Sequence, residues 1–321
     1  MNASRRSLFA ALMLTAVGCS AIAQQPYPNR PITIVIGSSP GSATDGLARA
    51  IAQEVTRATD QPVVVDNRPG AFGGIAAQAV TRAQPDGYTL FMTTNTTQAA
   101  NPHLYKKLSY DPVKGFTPVA LLAKGSLLLV TNPGIPAKNV QELVALAKKE
   151  PGKLNYGSGS SSAQVATELF QQMTGTDLNY IPYKANPPAI TDLVAGQTDL
   201  MIVDFAVSLP QVKAGKLRAL GVSSTHRSPL IPDVPAIAES LPGYELGYWN
   251  ALYASPGTPE PIVARLNELM RQALKSDVVK KSIESTGMEI TPSSPQELAD
   301  FQRSEYERWG NIIRTAGIQP E

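Results

Sequence analysis

The chain has 321 residues, of which 43% are hydrophobic and 17% are charged, and its formal net charge is +2. This composition is typical of a globular protein and excludes a disordered chain, and the length suits one large domain or two ordinary ones. A charge this small provides no basic excess for binding nucleic acid or an anionic membrane, so we expect neither partner.

Residues 1–23 have the features of a secretory signal peptide. Two arginines precede a short apolar run at 8–17, and Ala21-Ile22-Ala23 fits the small-residue cleavage pattern. We therefore expect export and cleavage near Ala23. Cleavage would remove Cys19, the only cysteine, so the mature chain would have neither a disulfide nor a thiol nucleophile. Twin-arginine export and a lipoprotein site at Cys19 are the alternatives.

Beyond the leader, short β-rich runs alternate with helical patterns, which indicates an α/β fold. Strands are predicted near 32–36, 62–65, 88–92, 121–122, 127–130, 154–156, 200–203 and 248–253. Helices are predicted near 47–55, 75–80, 140–147, 165–173 and 262–270, and from 295 onward. Right-handed β-α-β winding gives parallel strands whose connecting loops gather at their carboxyl ends. The simplest architecture is two α/β lobes with a cleft between them.

Two serine-rich loops, at 37–45 and 157–164, each join a predicted strand to a predicted helix. Hydroxyls and free N–H groups at a helix N-terminus favour an anion, and neither loop carries the Lys, Cys or His that phosphate transfer or covalent chemistry would require. These loops therefore suggest that an anion is held rather than transformed. Each loop also matches a capping box, Ser42 with Asp45 and Ser161 with Gln164, so an ordinary helix cap is the alternative.

Three further groups of residues lie where the cleft should open. Thr93-Thr94-Asn95 follows the third predicted strand, and Asp204 ends a later one, where it is either a cleft residue or a helix cap. Tyr183 would supply an aromatic wall and Lys184 a charge; a rigid turn with a solvated lysine is the alternative. We expect an apolar wall for the carbon skeleton of a ligand as well.

The sequence gives little support to catalysis. The stretch Gly159-Ser160-Ser161-Ser162-Ala163 loosely matches a nucleophile elbow but lacks the second glycine, and only His103 and His226 could serve as a base. Two isolated histidines without a cysteine do not make a transition-metal site, and both nucleotide-binding glycine motifs are missing from the sequence. We therefore predict no enzyme, no metal and no cofactor, with a secreted serine hydrolase as the remote alternative.

Several phrases along the chain match one family. They are Pro40-Gly41-x-x-x-Asp45, Val65-Asp66-Asn67-Arg68-Pro69-Gly70, Pro85-Asp86-Gly87-Tyr88-Thr89-Leu90, Pro182-Tyr183-Lys184, Gly215-Lys216-Leu217-Arg218-Ala219-Leu220, Pro232-Asp233-Val234-Pro235 and Pro256-Gly257-Thr258-Pro259. The sequence closely resembles the Bug receptors, the periplasmic solute-binding components of tripartite tricarboxylate transporters. Two positions depart from the family pattern: Ser42 stands where a second glycine is common, and Gln164 where histidine is frequent.

The resemblance implies a two-lobed periplasmic-binding-protein fold with two mainly parallel sheets flanked by helices and a hinge beside the cleft. We place lobe 1 at 24–125 plus 250–321 and lobe 2 at 126–249. Carried over by position, the ligand-binding residues are Ser38, Ser39, Gly41, Ser42, Ala43, Thr44, Asp45, Thr93, Thr94, Asn95, Ser158, Ser160, Ser161, Ser162, Gln164, Tyr183, Lys184 and Asp204.

The leading hypothesis is a monomeric, cofactor-free periplasmic receptor for a small organic carboxylate, including aromatic dicarboxylates. A ligand that touches both lobes would stabilise the closed form, which would then deliver it to membrane transporter subunits. In the alternative, the same receptor presents its liganded form to a membrane sensor protein.

Overall fold

A computed structural model describes residues 27–320. The predicted signal peptide and its cleavage position near Ala23 lie outside the described residues. Among the residues described, we find no helix with both the length and the hydropathy that a membrane-spanning segment needs.

The strands within residues 27–320 are β1 (Ile32–Ile36), β2 (Val63–Asn67), β3 (Thr89–Thr94), β4 (Thr117–Thr131), β5 (Asn155–Ser158), β6 (Asn179–Pro182), β7 (Leu200–Asp204), β8 (Arg218–Val222), β9 (Gly247–Ala254) and β10 (Met288–Ile290). The two short strands predicted at 121–122 and 127–130 are a single strand, β4. Gly125 does not interrupt β4, because it pairs with Tyr248 on one side and Met288 on the other.

The helices are α1 (Ala43–Thr59), α2 (Gly74–Thr81), α3 (Asn101–Leu104), α4 (Val140–Lys149), α5 (Ser161–Thr174), α6 (Asn186–Val194), α7 (Phe205–Lys213), α8 (Glu260–Ala273), α9 (Asp277–Glu284) and α10 (Pro295–Thr315). Short helical turns cover Ala71–Gly73, Thr96–Ala100 and Ile237–Glu239. The predicted helices are all present, and α3, α7 and α9 were not predicted as separate elements.

The strands form one curled sheet in the order β2-β1-β3-β9-β4-β7-β5-β6, with β8 and β10 also paired to β4. The outer groups β2-β1-β3 and β6-β5-β7 are parallel, which confirms the α/β prediction. Nearer the middle, β9, β8, β7 and β10 pair antiparallel with β4. Each half of the sheet is therefore mixed, because β4 and β9 run back through the centre instead of completing β-α-β units.

Strand β4 belongs to both halves of the molecule. Its residues up to Ser126 pair with β9 and β10, whereas those from Leu127 onward pair with β7 and β8. We refer to the half built on β1, β2, β3, β9 and β10 as lobe 1, and to the half built on β5 to β8 as lobe 2. The exchange of partners on β4 marks the place where one lobe passes into the other.

The main apolar core is continuous between the two lobes. It contains Ile34 of β1, Leu121 of β4, Phe170 of α5 and Ile313 of α10, each at most 3% exposed. A second, smaller cluster lies in lobe 2, under α6 and α7. Helix α5 of lobe 2 therefore contributes to the core that the lobes share, while α6 and α7 have a core of their own.

Candidate ligand-binding site

The first serine loop turns from β1 into α1, and Ser42 is the N-cap of that helix. Its Oγ accepts a hydrogen bond from the N–H of Asp45 at 3.2 Å, which is one of the two bonds of the predicted capping box; the N–H of Ser42 bonds to the carbonyl of Ser39 instead of to Asp45. The carboxylate of Asp45 turns back onto the loop and accepts from the N–H of Gly41 at 3.0 Å. The first loop is thus a true helix cap, closed by its own backbone.

The carboxylate of Asp45 is fully engaged within lobe 1. It receives Arg49 Nη2 at 2.9 Å and Asn67 Nδ2 at 3.0 Å, and Asn67 also donates to the carbonyl of Ser38. Burial raises the pKa of Asp45, but the hydrogen bonds from Arg49, Gly41 and Asn67 outweigh it and leave this pKa below its usual value. The carboxylate of Asp45 is therefore ionised, its charge is balanced by Arg49, and its hydrogen bonds hold the loop in shape.

The segment after β3 is a tight helical turn. The hydroxyls of Thr93 and Thr97 lie 2.5 Å apart, and Thr94 Oγ1 accepts from the N–H of Thr96 at 3.2 Å. Asn95 is fully buried and its Nδ2 donates to Ser162 Oγ of lobe 2 at 2.9 Å. Of the three predicted residues in this segment, Asn95 is the one that reaches the other lobe.

The second serine loop turns from β5 into α5, and its cap is Ser160. The Oγ of Ser160 accepts from the N–H of Ala163 at 3.3 Å. The capping box predicted for Ser161 and Gln164 is therefore wrong, because β5 ends one residue earlier than that frame requires. Ser161 instead lies in the first helical turn, where its side chain does not cap the helix and can bond to residues outside the loop.

Ser161 contacts lobe 1. Its Oγ donates to Oδ1 of Asn101 at 3.3 Å, and both residues are at most 1% exposed. Ser158 Oγ is used within the loop, where it donates to the carbonyl of Ser160 at 2.8 Å. Gln164 is partly buried, and no hydrogen bond of its side chain occurs within residues 27–320.

Asn186, at the start of α6, holds the lobe 2 side of the site together. It accepts from the N–H of Gly159 at 3.1 Å, and its Nδ2 donates to Ser160 Oγ at 3.3 Å and to Asp204 Oδ2 at 3.0 Å. Sequence reasoning missed this residue, although it lies only two positions after Lys184. The signal available was a polar residue directly before Pro187-Pro188 at a helix start.

Asp204 ends β7 and stands at the N-cap position of α7. Burial raises the pKa of its carboxyl, and the hydrogen bond from Asn186 offsets part of that effect. Tyr248 of β9 is close enough that the charge of Asp204 helps to raise the pKa of its hydroxyl, after burial as the larger cause. Asp204 of lobe 2 therefore lies close to strand β9 of lobe 1.

Tyr183 and Lys184 lie apart from this network. The hydroxyl of Tyr183 donates to Asp192 Oδ2 at 2.7 Å, and burial together with Asp192 raises the pKa of Tyr183 to about 12. The Tyr183 ring lies against the Cα of Gly157. Lys184 is exposed and makes no ion pair within the described part of the chain.

The start of β9 connects the two helix N-termini. Thr44 Oγ1 donates to Asn250 Oδ1 at 3.1 Å, and the N–H of the preceding residue, Trp249, donates to Asn95 Oδ1 at 3.4 Å. Asn95 in turn donates to Ser162. The first turns of α1 and α5, from different lobes, are therefore both linked to the same short stretch of β9, α1 directly and α5 through Asn95.

The chemistry offered by this arrangement is hydrogen-bond donation to an anion. Each helix N-terminus carries a partial positive charge and unpaired N–H groups. Within residues 27–320, no cluster of His, Cys, Asp and Glu could hold a metal ion. Asparagine, serine and threonine side chains make up most of the site, and such groups position a ligand by polar contacts.

A family model for the tripartite tricarboxylate transporter family receptor matches residues 47–318. The chain belongs to this family. Among its relatives, the protein BugT of Bordetella pertussis is 33% identical over 324 residues, covering 99% of each chain. A protein from the tcbD-tcbE intergenic region of Pseudomonas sp. strain P51 is 35% identical, covering 97% of this chain and 94% of its own. The family is one of transporter receptors, which confirms the prediction of a Bug-type receptor rather than an enzyme.

Solved structures of such receptors have the same fold. R. palustris Rpa4515 with adipate is 36% identical with a TM-score of 0.88, covering 92% of this chain and 100% of its own. The periplasmic binding protein BugD is 30% identical with a TM-score of 0.85, covering 92% of this chain and 100% of its own. MatC from Rhodopseudomonas palustris with bound malate is 33% identical with a TM-score of 0.83, covering 89% of this chain and 100% of its own. The predicted two-lobed periplasmic-binding-protein fold is therefore confirmed.

Proposed function

We propose that this receptor captures a small organic dicarboxylate, aliphatic or aromatic, in the periplasm and delivers it to a tripartite tricarboxylate-type membrane transporter. The solved neighbours support the ligand class, because Rpa4515 contains adipate and MatC contains malate, and both ligands carry a carboxylate at each end. The family itself supports the transporter partner.

One observation carries the proposal. Two helix N-termini from different lobes are linked to the same part of β9, α1 directly and α5 through Asn95. No hydrogen bond within residues 27–320 uses the N–H groups of Ala43, Thr44, Ser161 or Ser162. Such N–H groups bind carboxylates and phosphates at helix N-termini. A dicarboxylate could place one anionic end at each terminus, and only the closed form would make both sets of contacts.

The roles of the proposed contact residues then differ. Ser42 and the N–H groups of Ala43 and Thr44 would bind from lobe 1, and Ser162 from lobe 2. Asp45 would act through the shape of the first loop, because its carboxylate is already saturated. The partly buried Gln164 is a further donor that could reach the ligand from α5.

The first test is a binding panel on protein exported by its own leader and purified from the periplasm. Succinate, glutarate, adipate, malate, citrate, phthalate and terephthalate are compared with hexanoate, which has the chain of adipate but one carboxylate. At 100 times its dissociation constant a binder should stabilise the fold by about 2.7 kcal/mol. Stabilisation by a dicarboxylate and not by hexanoate is the expected result; an equal response to hexanoate, or none to any diacid, would contradict the proposal.

Localisation and delivery need separate tests. The mature N-terminus of the exported protein should lie at or near Gln24, and the protein should fractionate with the periplasm. Deletion of its gene should abolish uptake of the labelled ligand. Intact uptake together with loss of a transcriptional response to the ligand would favour the sensor alternative.

A further inference from the structure

Two side-chain pairs join the lobes where α5 begins. Asn95 of lobe 1 donates to Ser162 of lobe 2 at 2.9 Å, and Ser161 of lobe 2 donates to Asn101 of lobe 1 at 3.3 Å. All four residues are at most 7% exposed. Adjacent serines on one helix turn therefore meet two asparagines that are six positions apart in the other lobe.

The orientation of the Asn101 amide is fixed by its other contacts. Its Nδ2 donates to the carbonyl of Phe72 at 3.1 Å and to the hydroxyl of Tyr110 at 3.2 Å. That hydroxyl donates onward to the carbonyl of Thr97 at 2.9 Å, so it can only accept from Asn101. Asn101 therefore presents its oxygen, and not its NH₂ group, to Ser161.

The carbonyl of Phe72 is aimed at Asn101 by an unusual stretch of backbone. Ala71 and Phe72 have φ angles of 46° and 47°, in the left-handed region that non-glycine residues rarely adopt. Such conformations cost about 1–3 kcal/mol each and persist where the surroundings hold them in place. This strained turn supports the asparagine that meets lobe 2, although it lies in lobe 1 and far from α5 in sequence.

Asn95 is also fixed, in the opposite sense. Its Oδ1 accepts from the N–H of Trp249 at 3.4 Å, which leaves Nδ2 to donate to Ser162. A serine hydroxyl has one hydrogen to donate and can accept two. The hydroxyl of Ser161 donates its hydrogen to Asn101, whereas the hydroxyl of Ser162 accepts from Asn95 and can still donate to another acceptor.

We propose that Asn95 and Asn101 are positioning residues that set the ligand affinity of this receptor by holding the lobes together at α5 without contacting the ligand. We call these two pairs the junction: the hydroxyl of Ser161 serves the junction alone, and the hydroxyl of Ser162 serves both the junction and a ligand carboxylate. The second part rests on the proposed function, whereas the first concerns the protein without ligand. Opening the lobes would expose these four polar groups to water, so each pair contributes a modest free energy to the closed form.

The junction can be tested without any ligand. Spin labels are attached to cysteines introduced at Gln53 in α1 and Lys213 at the end of α7, both exposed, in protein purified from the periplasm after removal of the leader that contains Cys19. Pulsed-dipolar distances are then compared for wild type, Asn95→Ala, Asn101→Ala and Ser161→Ala. We expect the three variants to show longer or broader distances than wild type. The matched controls are Asn179→Ala and Ser304→Ala, at exposed positions away from the junction, which should leave the distances unchanged.

Affinity for adipate separates the two serines. Ser161→Ala and Asn101→Ala should each weaken binding roughly three- to tenfold, and the double variant no further, because each removes the same neutral hydrogen bond. Ser162→Ala should weaken binding more than Ser161→Ala, since it also loses a donor to the carboxylate. Thermal unfolding without ligand identifies any variant whose fold is damaged, and Ser161→Ala makes the smallest change.

The outcomes are distinguishable. Unchanged distances in both Ser161→Ala and Asn101→Ala would overturn the junction, as would additive losses of affinity in the double variant. Equal affinities of Ser161→Ala and Ser162→Ala would overturn the division between the serines. If adipate and the other diacids fail to bind wild type while the distances still change, the proposed function fails and the junction stands.

Discussion

Gly287 of lobe 1 rests directly on the ring of Phe205 of lobe 2. A Cβ atom at Gly287 would lie 2.8 Å from Cγ of Phe205, closer than such contacts occur. The two residues meet because β10 and β7 pair with neighbouring parts of β4, one before Ser126 and one after it. This contact between the lobes therefore leaves no room for a side chain at position 287.

The first prediction concerns this contact. Gly287→Ala should weaken dicarboxylate binding at least tenfold, because the methyl group forces the lobes apart at Phe205, and its φ of 73° adds strain. Gly257→Ala is the matched control: φ is 82° there, but the space around the Cβ is open. Both variants should lose roughly 1 kcal/mol of stability from backbone strain. Calorimetric binding should separate them, and equal affinities would show that the Phe205 contact does not limit closure.

The second prediction tests the unpaired N–H groups of α1. Ala43 is the first residue of this helix, a position where proline fits, and Ser42 before it has the extended backbone that a following proline prefers. Ala43→Pro therefore deletes one N–H and leaves the helix intact. If that N–H binds a carboxylate, the loss should be about 1.5–3 kcal/mol of binding free energy, measured by titration calorimetry.

The control for this variant is Asp277→Pro, at the equivalent first position of α9, where Ser276 is also an extended N-cap. It should leave affinity unchanged. Wild-type affinity in Ala43→Pro, with an unchanged circular dichroism spectrum, would remove α1 from the binding site.

The third prediction concerns the charge of Asp45. Arg49 neutralises this carboxylate, which is 7% exposed and lies at the helix N-terminus proposed to bind an anion. Arg49→Ala should therefore weaken dicarboxylate binding roughly three- to tenfold, with a larger effect at low salt. Arg57→Ala is the matched control, because Arg57 pairs with Glu54 farther along the same helix. Restoration of binding by adding Asp45→Asn would identify repulsion as the cause, and an effect of Arg57→Ala as large as that of Arg49→Ala would argue against it.

The fourth prediction is a pH dependence set by Asp204. Burial raises the pKa of this carboxyl above its ordinary value of 3.8. Its contribution to stability is therefore fully present below the unfolded-state pKa and is lost as the pH rises through the higher folded-state pKa. Asp204→Asn resembles the protonated form, so the free energy of unfolding of this variant relative to wild type should increase as the pH rises above the ordinary carboxyl pKa of 3.8.

Urea unfolding without ligand measures this difference at each pH, and Asn186 and Tyr248 are the polar neighbours whose positions must be preserved. Asp277→Asn, at an exposed helix start, provides the control. A difference between Asp204→Asn and wild type that is the same at every pH would contradict the assignment.

The parallel strands β1, β2, β3, β5 and β7 could be predicted from the sequence because they are short runs followed by polar loops, whereas β6, β8 and β10 were not predicted. The continuity of β4 could not be predicted, since Gly125 and Lys124 interrupt its apolar pattern. Pairing with Met288, more than 160 positions later, keeps Gly125 extended. Local propensity contains no information about a partner so distant.

The site was predictable to the level of loops and no further. Helix N-termini after parallel strands locate the residues around Ser42 and Ser160, but three consecutive serines offer three capping frames. The end of β5 selects the first of these frames. Asn101 and Asn186 act through partners in other elements, and a single amide in a polar stretch gives no sign of that in one sequence.

The uninterrupted apolar core between β1 and α5 has a thermodynamic consequence. Since Phe170 of lobe 2 and Ile313 of lobe 1 belong to the same cluster, this shared core cannot be lost from one lobe while the other keeps it, although the smaller cluster under α6 and α7 lies outside it. The receptor should therefore melt as one cooperative unit, with a calorimetric enthalpy equal to the van't Hoff enthalpy. Any ligand that bridges the cleft then protects the entire chain against unfolding, including the parts it never touches.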